Sequence, residues 1–329
     1  MEEQLKFYSN SPHVKGRRTT REIMLNVCIA LLPALVMGCV FFGWRALMII
    51  ALSAVTACVS EIVFLLICGK PFKEILKEFD FSSLVTGLLL AMCLGSQVYW
   101  YVPVLSAAFA VIVVKMLFGG TGKNLVNPAA TGRVFAFLSF NMIMVGNWAI
   151  PNYAGVESGA TVISGPTSLT ALLQNGELPN NLYLLLGNVP GCIGETCKIA
   201  LIAGGLYLVI RGIIDFKWPL IYIAVTGLMS VALNKFDFNY FLPSILSGGL
   251  ILGAIFMATD YTTTPNTTWG NVLYFVLMGM LTAVLRKAAG IEVVSFVILL
   301  MNLFVPLIDK FIVNLPFGYV RQKKQKEAK

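Results

Sequence analysis

The sequence predicts an all-α integral membrane protein of about ten transmembrane helices, in two inverted five-helix repeats with both termini cytoplasmic. Three observations carry this. The 329-residue chain is 57% hydrophobic and 12% charged, with a mean hydropathy of +0.81, a balance suited to lipid rather than water. Apolar stretches long enough for a hydrocarbon layer of about 30 Å recur along the chain. Lys and Arg gather at the two ends and in short loops, as cytoplasmic segments require.

Residues 1–22 are polar and basic. They are expected to form a cytoplasmic segment and, lacking an early apolar core, do not read as a cleaved signal peptide. The first membrane half, 23–146, is expected to hold spans at roughly 23–43, 45–68, 82–96, 99–118 and 127–146. Residues 147–198 then form a long loop. No Lys or Arg occurs between Arg133 and Lys198, which places that loop outside the cytoplasm. The second half, 199–313, is expected to hold spans at roughly 199–214, 217–234, 241–258, 271–286 and 291–313, followed by a basic cytoplasmic tail, 314–329. On this topology Lys70, Lys73, Lys77, Lys123, Arg211 and Lys217 lie inside with the basic termini. The outer loops keep only Arg45, Lys198, Lys235, Arg286 and Lys287.

The halves also share letters. Thr86-Gly87-Leu88-Leu89-Leu90-Ala91 resembles Gly248-Gly249-Leu250-Ile251-Leu252-Gly253, 162 positions later. An odd and an even span run in opposite directions, so the match predicts an inverted-topology repeat. The net charge of +8 does not indicate nucleic acid, because the basic residues form no aromatic-rich face. Seven cysteines, mostly inside spans, and the single His13 do not supply a metal, haem or iron–sulfur site.

Three polar islands interrupt the apolar pattern, where lipid would otherwise exclude them. The first is Gly119-Gly120-Thr121-Gly122-Lys123-Asn124, followed by Asn127-Pro128. It fails the phosphate-loop pattern, since Leu117 and Asn124 stand where Gly and Ser or Thr are required. What remains is a glycine turn leading to a helix start, whose free N–H groups can hold a polar ring edge; a plain interhelical turn is the alternative. The second island, Thr259-Asp260-Tyr261-Thr262-Thr263-Thr264, puts a carboxylate at the dipole-unfavourable end of a span, where a partner, a ligand or a solvated turn can account for it. The third is the outer loop, with Ser158, Thr161, Ser164, Thr167, Ser168 and Thr170. No histidine lies there, so a hydrolase triad is unsupported. Gly159 and Ala160 leave the Thr161 hydroxyl unobstructed, as an acceptor of a transferred group requires.

Ser158-Gly159-Ala160-Thr161 resembles the covalent flavinylation signature of the RnfD/NqrB family. Gly119-Gly120 through Asn127-Pro128-Ala129, Phe256-Met257-Ala258-Thr259-Asp260 and Gly191-Cys192-Ile193-Gly194-Glu195-Thr196 are similar to further family segments, the last usually reading Ser in place of Cys192. One position departs: the family signature carries an acidic residue three places before the serine, and here that place is Gly155. The short N-terminal segment is similar to the Rnf branch rather than the Nqr branch.

The resemblance implies FMN joined through its phosphate to the Thr161 hydroxyl by a flavin transferase. It also implies a role as the flavin-carrying subunit of a multi-subunit, ion-translocating ferredoxin:NAD oxidoreductase of the cell membrane. The partners implied are other membrane and peripheral subunits, including iron–sulfur and flavin subunits; no complete active site is expected in this chain alone. A second, non-covalent riboflavin is implied, with Gly119, Gly120, Asn124, Asn127, Thr259 and Asp260 as its candidate pocket. For ion movement, Glu61 is the one ionisable residue expected deep within a span; Lys115, Arg133 and Asp309 lie near span ends and are expected to reach the interface. The rival readings are a small-solute channel or secondary transporter of inverted-repeat fold and a structural anchor without cofactor.

Overall fold

The computed structural model describes residues 19–144, 148–149, 151, 167–176 and 178–313, and helices dominate it. Helix α1 (Thr20–Ile67) has 48 residues. At 1.5 Å per residue it is about 70 Å long, more than twice a bilayer core. It therefore cannot cross once as a straight rod, and it breaks at Gly43, where φ is 66° and ψ is −152°, a conformation open to glycine. The two spans expected at 23–43 and 45–68 meet at that residue. Thr19 caps the first arm by accepting from the Glu22 N–H at 3.2 Å. A short helix, α2 (Phe72–Glu78), follows with Ile75 buried and Phe72 and Leu76 exposed; no span was expected there and none is found.

Helix α3 (Ser82–Met92) stops four residues before the expected end. Beyond it the Met92 and Leu94 carbonyls accept from the N–H groups of Gly194 (2.8 Å) and Ile193 (2.9 Å), so a distant loop replaces the next helical turn in satisfying the backbone. Helix α4 (Tyr101–Met116) finishes as a π-helix from Ala110. Helix α5 (Pro128–Ser139) has Asn127 as its cap and Pro128 in its first turn. It ends seven residues short of the expected boundary, at the non-helical Phe140. In the second half α6 (Lys198–Ile210) and α7 (Lys217–Leu233) match the expected spans within a few residues. The expected continuous span 241–258 is instead two helices, α8 (Phe238–Leu246) and α9 (Leu250–Met257), bent by 66°. Ser247 is extended there and Gly248 has φ 66°. Helices α10 (Thr268–Ala289) and α11 (Val294–Phe311) close the described chain.

By length and composition α1, α10 and α11 can each cross a membrane, and α8 with α9 makes a fourth if the bent pair is one span; α3, α4, α6 and α7 are shorter apolar helices. The two similar hexamers sit differently: Thr86–Ala91 lies within α3, whereas Gly248-Gly249 form the break before α9. Lys115 of α4 donates to the Ser82 and Ser83 hydroxyls at 2.6 and 2.8 Å. Arg286 of α10 donates to the Ser244 and Ser247 carbonyls at 2.9 and 3.3 Å. Ser244 stands the same 162 positions after Ser82. A buried cation from a longer helix that follows thus holds the start of α3 through hydroxyls and the α8–α9 break through carbonyls.

Glycines let the helices close on one another. A Cβ on Gly87 would meet the Ser53 carbonyl of α1 at 2.8 Å, and one on Gly204 would strike the Ala30 carbonyl. Val36, Val40, Trp44, Val55 and Val59 on α1 stay exposed, as side chains facing lipid do.

Candidate functional site

Two cavities flank α5. The first, of about 100 Å³, lies among the first turn of α3, the turn after α4, the start of α5 and the turn after α9. Asn124, Asn127, Thr259 and Asp260 all line it; Gly119 and Gly120 do not, although Thr121 and Gly122 of the same turn do. Those two glycines instead form the turn itself, with φ of 108° and 89°. Asn127 Oδ1 accepts from the Ala129 and Ala130 N–H groups at 3.0 and 3.1 Å, and its Nδ2 donates to the Met257 carbonyl at 3.0 Å. One side chain thereby caps α5 and ties it to the end of α9. Asn124 Nδ2 donates to Thr262 Oγ1 at 3.1 Å, joining the two polar islands that the sequence separates by more than a hundred residues.

Asp260 is held by its own turn: it accepts from the Thr262 N–H at 3.4 Å and the Thr262 hydroxyl at 3.1 Å. Burial pushes its carboxyl above the ordinary carboxylate range, against those hydrogen bonds. The opposite wall is apolar, with Val27 of α1, Val85 and Leu89 of α3 and Phe256 of α9. Apolar faces around a polar edge of amide, hydroxyl and carboxyl suit a flat heteroaromatic ring.

Beside this cavity, Lys115 Nζ donates to Glu61 Oε1 at 3.0 Å as well as to Ser82 and Ser83. Lys115 is 2% exposed and Glu61 is also buried. Glu61 does have the partner its depth requires, but Lys115 does not reach the interface as expected. Neither does Arg133, which is buried on α5. Inward pairing supplies what lipid cannot. Asp309 lies at the end of α11 and accepts from Asn266 N and Nδ2 at 3.0 and 2.9 Å. Glu61 Oε2 is buried without a hydrogen-bond partner in the protein, and Ser82 continues the network to Asp80 and, at 2.9 Å, to Thr121.

The second cavity, of about 60 Å³, lies toward the other end of α5. Its charged lining is Arg133, Glu195, Lys198 and Glu292, with Phe137, Met144 and Trp148 as apolar wall. Arg133 donates to the Cys93 carbonyl and to Cys192 Sγ at 3.1 Å, and stands 3.8 Å from Glu195. Cys192 and Cys197 are both buried; burial lifts the Cys192 thiol well above its ordinary value, so it stays protonated. Glu292 pairs with Arg286 at 2.8 Å and accepts from the N–H groups of Gly249 at 2.9 Å and Val294 at 3.0 Å. Burial alone would raise its carboxyl, but Arg286 and these N–H donors hold it below the usual range. Glu195, farther from its arginine, is raised by burial.

Sequence reasoning missed this cluster, taking Lys198 and Arg286 as topology charges in outer loops. The available signal was charge density: Arg286, Lys287 and Glu292 surround Gly290, and Glu195 and Lys198 flank Thr196 and Cys197. The residues of the flavinylation signature, Ser158, Gly159, Ala160 and Thr161, lie outside the described residues. Trp148 and Thr167, on either side of that segment, both line the second cavity.

Comparison with known proteins gives the family. The model of the NQR2, RnfD, RnfE family matches residues 7–318. The D component of the Na(+)-translocating ferredoxin:NAD(+) oxidoreductase complex from Acetobacterium woodii is 36% identical over 97% of this chain and 98% of its own length. Its counterpart in the proton-translocating complex from Clostridium ljungdahlii is 35% identical over 94% and 95%. The D component of an ion-translocating oxidoreductase complex from Stutzerimonas stutzeri is 33% identical over 94% and 95%. The chain belongs to the NQR2, RnfD, RnfE family.

Proposed function

We propose that the chain is the flavin-carrying membrane subunit of an Rnf-type complex, passing electrons between ferredoxin and NAD through FMN carried on Thr161, coupled to Na+ or H+ translocation. The observation that carries the reading is the Ser158-Gly159-Ala160-Thr161 segment in a chain matched along almost its whole length by the D components of such complexes. Bound FMN supplies reversible electron acceptance. The chain supplies the hydroxyl that holds it, in a loop placed outside the cytoplasm by its lack of basic residues.

In the same reading the chain has ten spans and cytoplasmic termini. It assembles in the cell membrane with iron–sulfur and flavin subunits after a flavin transferase has modified it. Riboflavin is assigned to the first cavity, where Asn124, Asn127, Thr259 and Asp260 would offer polar contacts and Val85, Leu89 and Phe256 apolar ones. Glu61, with one carboxylate oxygen unpartnered beside Lys115, is assigned to ion handling. The broken spans favour a second reading, a small-solute transporter, since discontinuous helices build such pathways; that reading gives Thr161 no task.

The test is a Thr161→Ala variant assembled into its complex. The proposal expects intact assembly with ferredoxin-dependent NAD reduction lost. Unchanged electron flow in that complex would overturn it.

A further inference from the structure

A third cavity, of about 20 Å³, lies among the end of α7, α8, the last turns of α10 and residues 168–175. Its charge differs from that of the other two. Asp260 lines the first cavity and Glu195 and Glu292 the second, whereas among the described residues the third is lined by Arg286 and Lys287 and by no carboxylate. Asp237, three residues after the lining Asn234, accepts from the Asn239 N–H at 3.0 Å and stays outside the lining. Both cations keep a donor that the described protein does not use. Arg286 is 3% exposed; its Nη1 and Nη2 serve the Ser244 and Ser247 carbonyls and Glu292, while its Nε is buried with no acceptor among the described residues. Lys287 Nζ donates to the Leu233 carbonyl and, at 3.2 Å, to Asn234 Oδ1, two of the three bonds an ammonium can make. A buried N–H without an acceptor is costly. Here it belongs to a residue that lines a carboxylate-free cavity beside an exposed ammonium, which points to an anionic acceptor.

Size and surroundings narrow the class. The space holds about one oxygen-sized group, so a ligand enters by a single atom and leaves its body outside. Leu172, Leu173 and Leu233 share the lining, apolar surface that a hydrated free ion does not use. The cavity also sits at the end of α10, a helix long and apolar enough to cross a membrane. Beside it Lys235 and Phe236 both take left-handed φ values, 58° and 61°, and Phe236 and Phe238 are among the most exposed aromatic residues, at 74% and 73%. Basic and aromatic side chains together at a span end are the composition of a lipid headgroup boundary.

We infer that the third cavity is a binding site for an anionic phospholipid, one of whose phosphate oxygens accepts from Arg286 Nε and Lys287 Nζ while its glycerol and acyl chains lie against the leucines. Charge-assisted bonds to phosphate are stronger than neutral ones, and the ammonium of Lys287 with that of Lys235 nearby favours a lipid of net negative charge over a zwitterionic one. Bound there, the lipid joins α7 to α10 at the same end where Arg286 holds the α8–α9 break. This does not depend on the proposed flavin.

The test is lipid binding by the full chain in detergent, read by native mass spectrometry and as thermal stabilisation, with phosphatidylglycerol, phosphatidylcholine and inorganic phosphate as probes. Phosphatidylglycerol is expected to bind and stabilise the wild type, and the other two to do so less at equal concentration. Lys287→Met is expected to weaken phosphatidylglycerol about tenfold, the worth of one charge-assisted hydrogen bond, and Lys287→Arg to restore most of that affinity. Unchanged affinity in Lys287→Met overturns the assignment. Equal stabilisation by phosphatidylcholine removes the preference for an anionic lipid, and equal stabilisation by inorganic phosphate shows a free-anion site instead; either result overturns it as well. Should Lys287→Met not fold, Ser230→Leu decides, because a leucine there fills the cavity and is expected to expel the phosphate oxygen. Undiminished phosphatidylglycerol binding in that variant overturns the site.

Discussion

The two cavities beside α5 handle charge in opposite ways. At the first, one ammonium meets one carboxylate and two serine hydroxyls, Lys115 with Glu61, Ser82 and Ser83. At the second, three cations share two carboxylates. Each cavity lies beside a short apolar helix held by a buried cation from a longer helix that follows. The difference lies in Glu195 and Lys198, which come from the stretch leading into α6 and from its first residue.

The largest expected effect belongs to the second cavity. Arg286→Leu removes the Glu292 pair and the bonds to the Ser244 and Ser247 carbonyls, leaving the Glu292 carboxylate without its paired cation. A loss of about 3–5 kcal/mol is expected, read as unfolding in lipid nanodiscs. A loss below about 1 kcal/mol would show that the cluster does not hold α8 to α10.

Lys115→Met should cost somewhat less, about 3 kcal/mol, because Lys115 bonds only side chains whereas Arg286 also holds two backbone carbonyls. The Lys115→Met/Glu61→Leu double variant should recover most of that loss, since apolar pairs of similar volume replace buried ion pairs well. No recovery would mean that the serines, rather than the pair, hold α3.

Acidity separates Glu292 of the second cavity from Asp260 of the first by sign. The folded-state carboxyl of Glu292 is lowered, so its contribution is present above the unfolded value of about 4.3 and is lost as pH falls through the lowered value. Asp260 is raised, so its contribution is present at low pH and is lost as pH rises through the raised value. Glu292→Gln should flatten the acid limb of the stability profile, and Asp260→Asn should flatten its approach to neutrality. The same response from both variants would contradict the asymmetry.

Asn127→Ala should cost about 1–2 kcal/mol, a helix cap plus one buried hydrogen bond. As a control at residues that line neither cavity, Lys70→Ala at an exposed ion pair with Glu78 should leave unfolding unchanged.

Much of the fold was legible because long apolar runs and their punctuation are local. The boundary drawn between 43 and 45 falls at the Gly43 break, and Asn127-Pro128 announced the start of α5. The breaks after Met92 and at Ser247-Gly248 were not legible as breaks. The Met92 and Leu94 carbonyls there are satisfied by Gly194 and Ile193, about a hundred residues away, and a hydropathy pattern carries no record of that. The interior charges were hidden for a related reason. A lysine or arginine near a span end can turn outward or inward, and only the position of Glu61 or Glu195 in space decides. In the first cavity Asn124, Asn127, Thr259 and Asp260 were found from polarity against an apolar background, whereas Lys115 and Thr262 were not.

The central claim is that Thr161 carries a flavin. Its most direct test is mass spectrometry of the peptide containing Thr161, from protein co-expressed with a flavin transferase, alongside in-gel fluorescence of the denatured chain. The account predicts a fluorescent band and FMN mass on Thr161, both absent in Thr161→Ala. A dark band with an unmodified peptide, beside an active transferase, would contradict it.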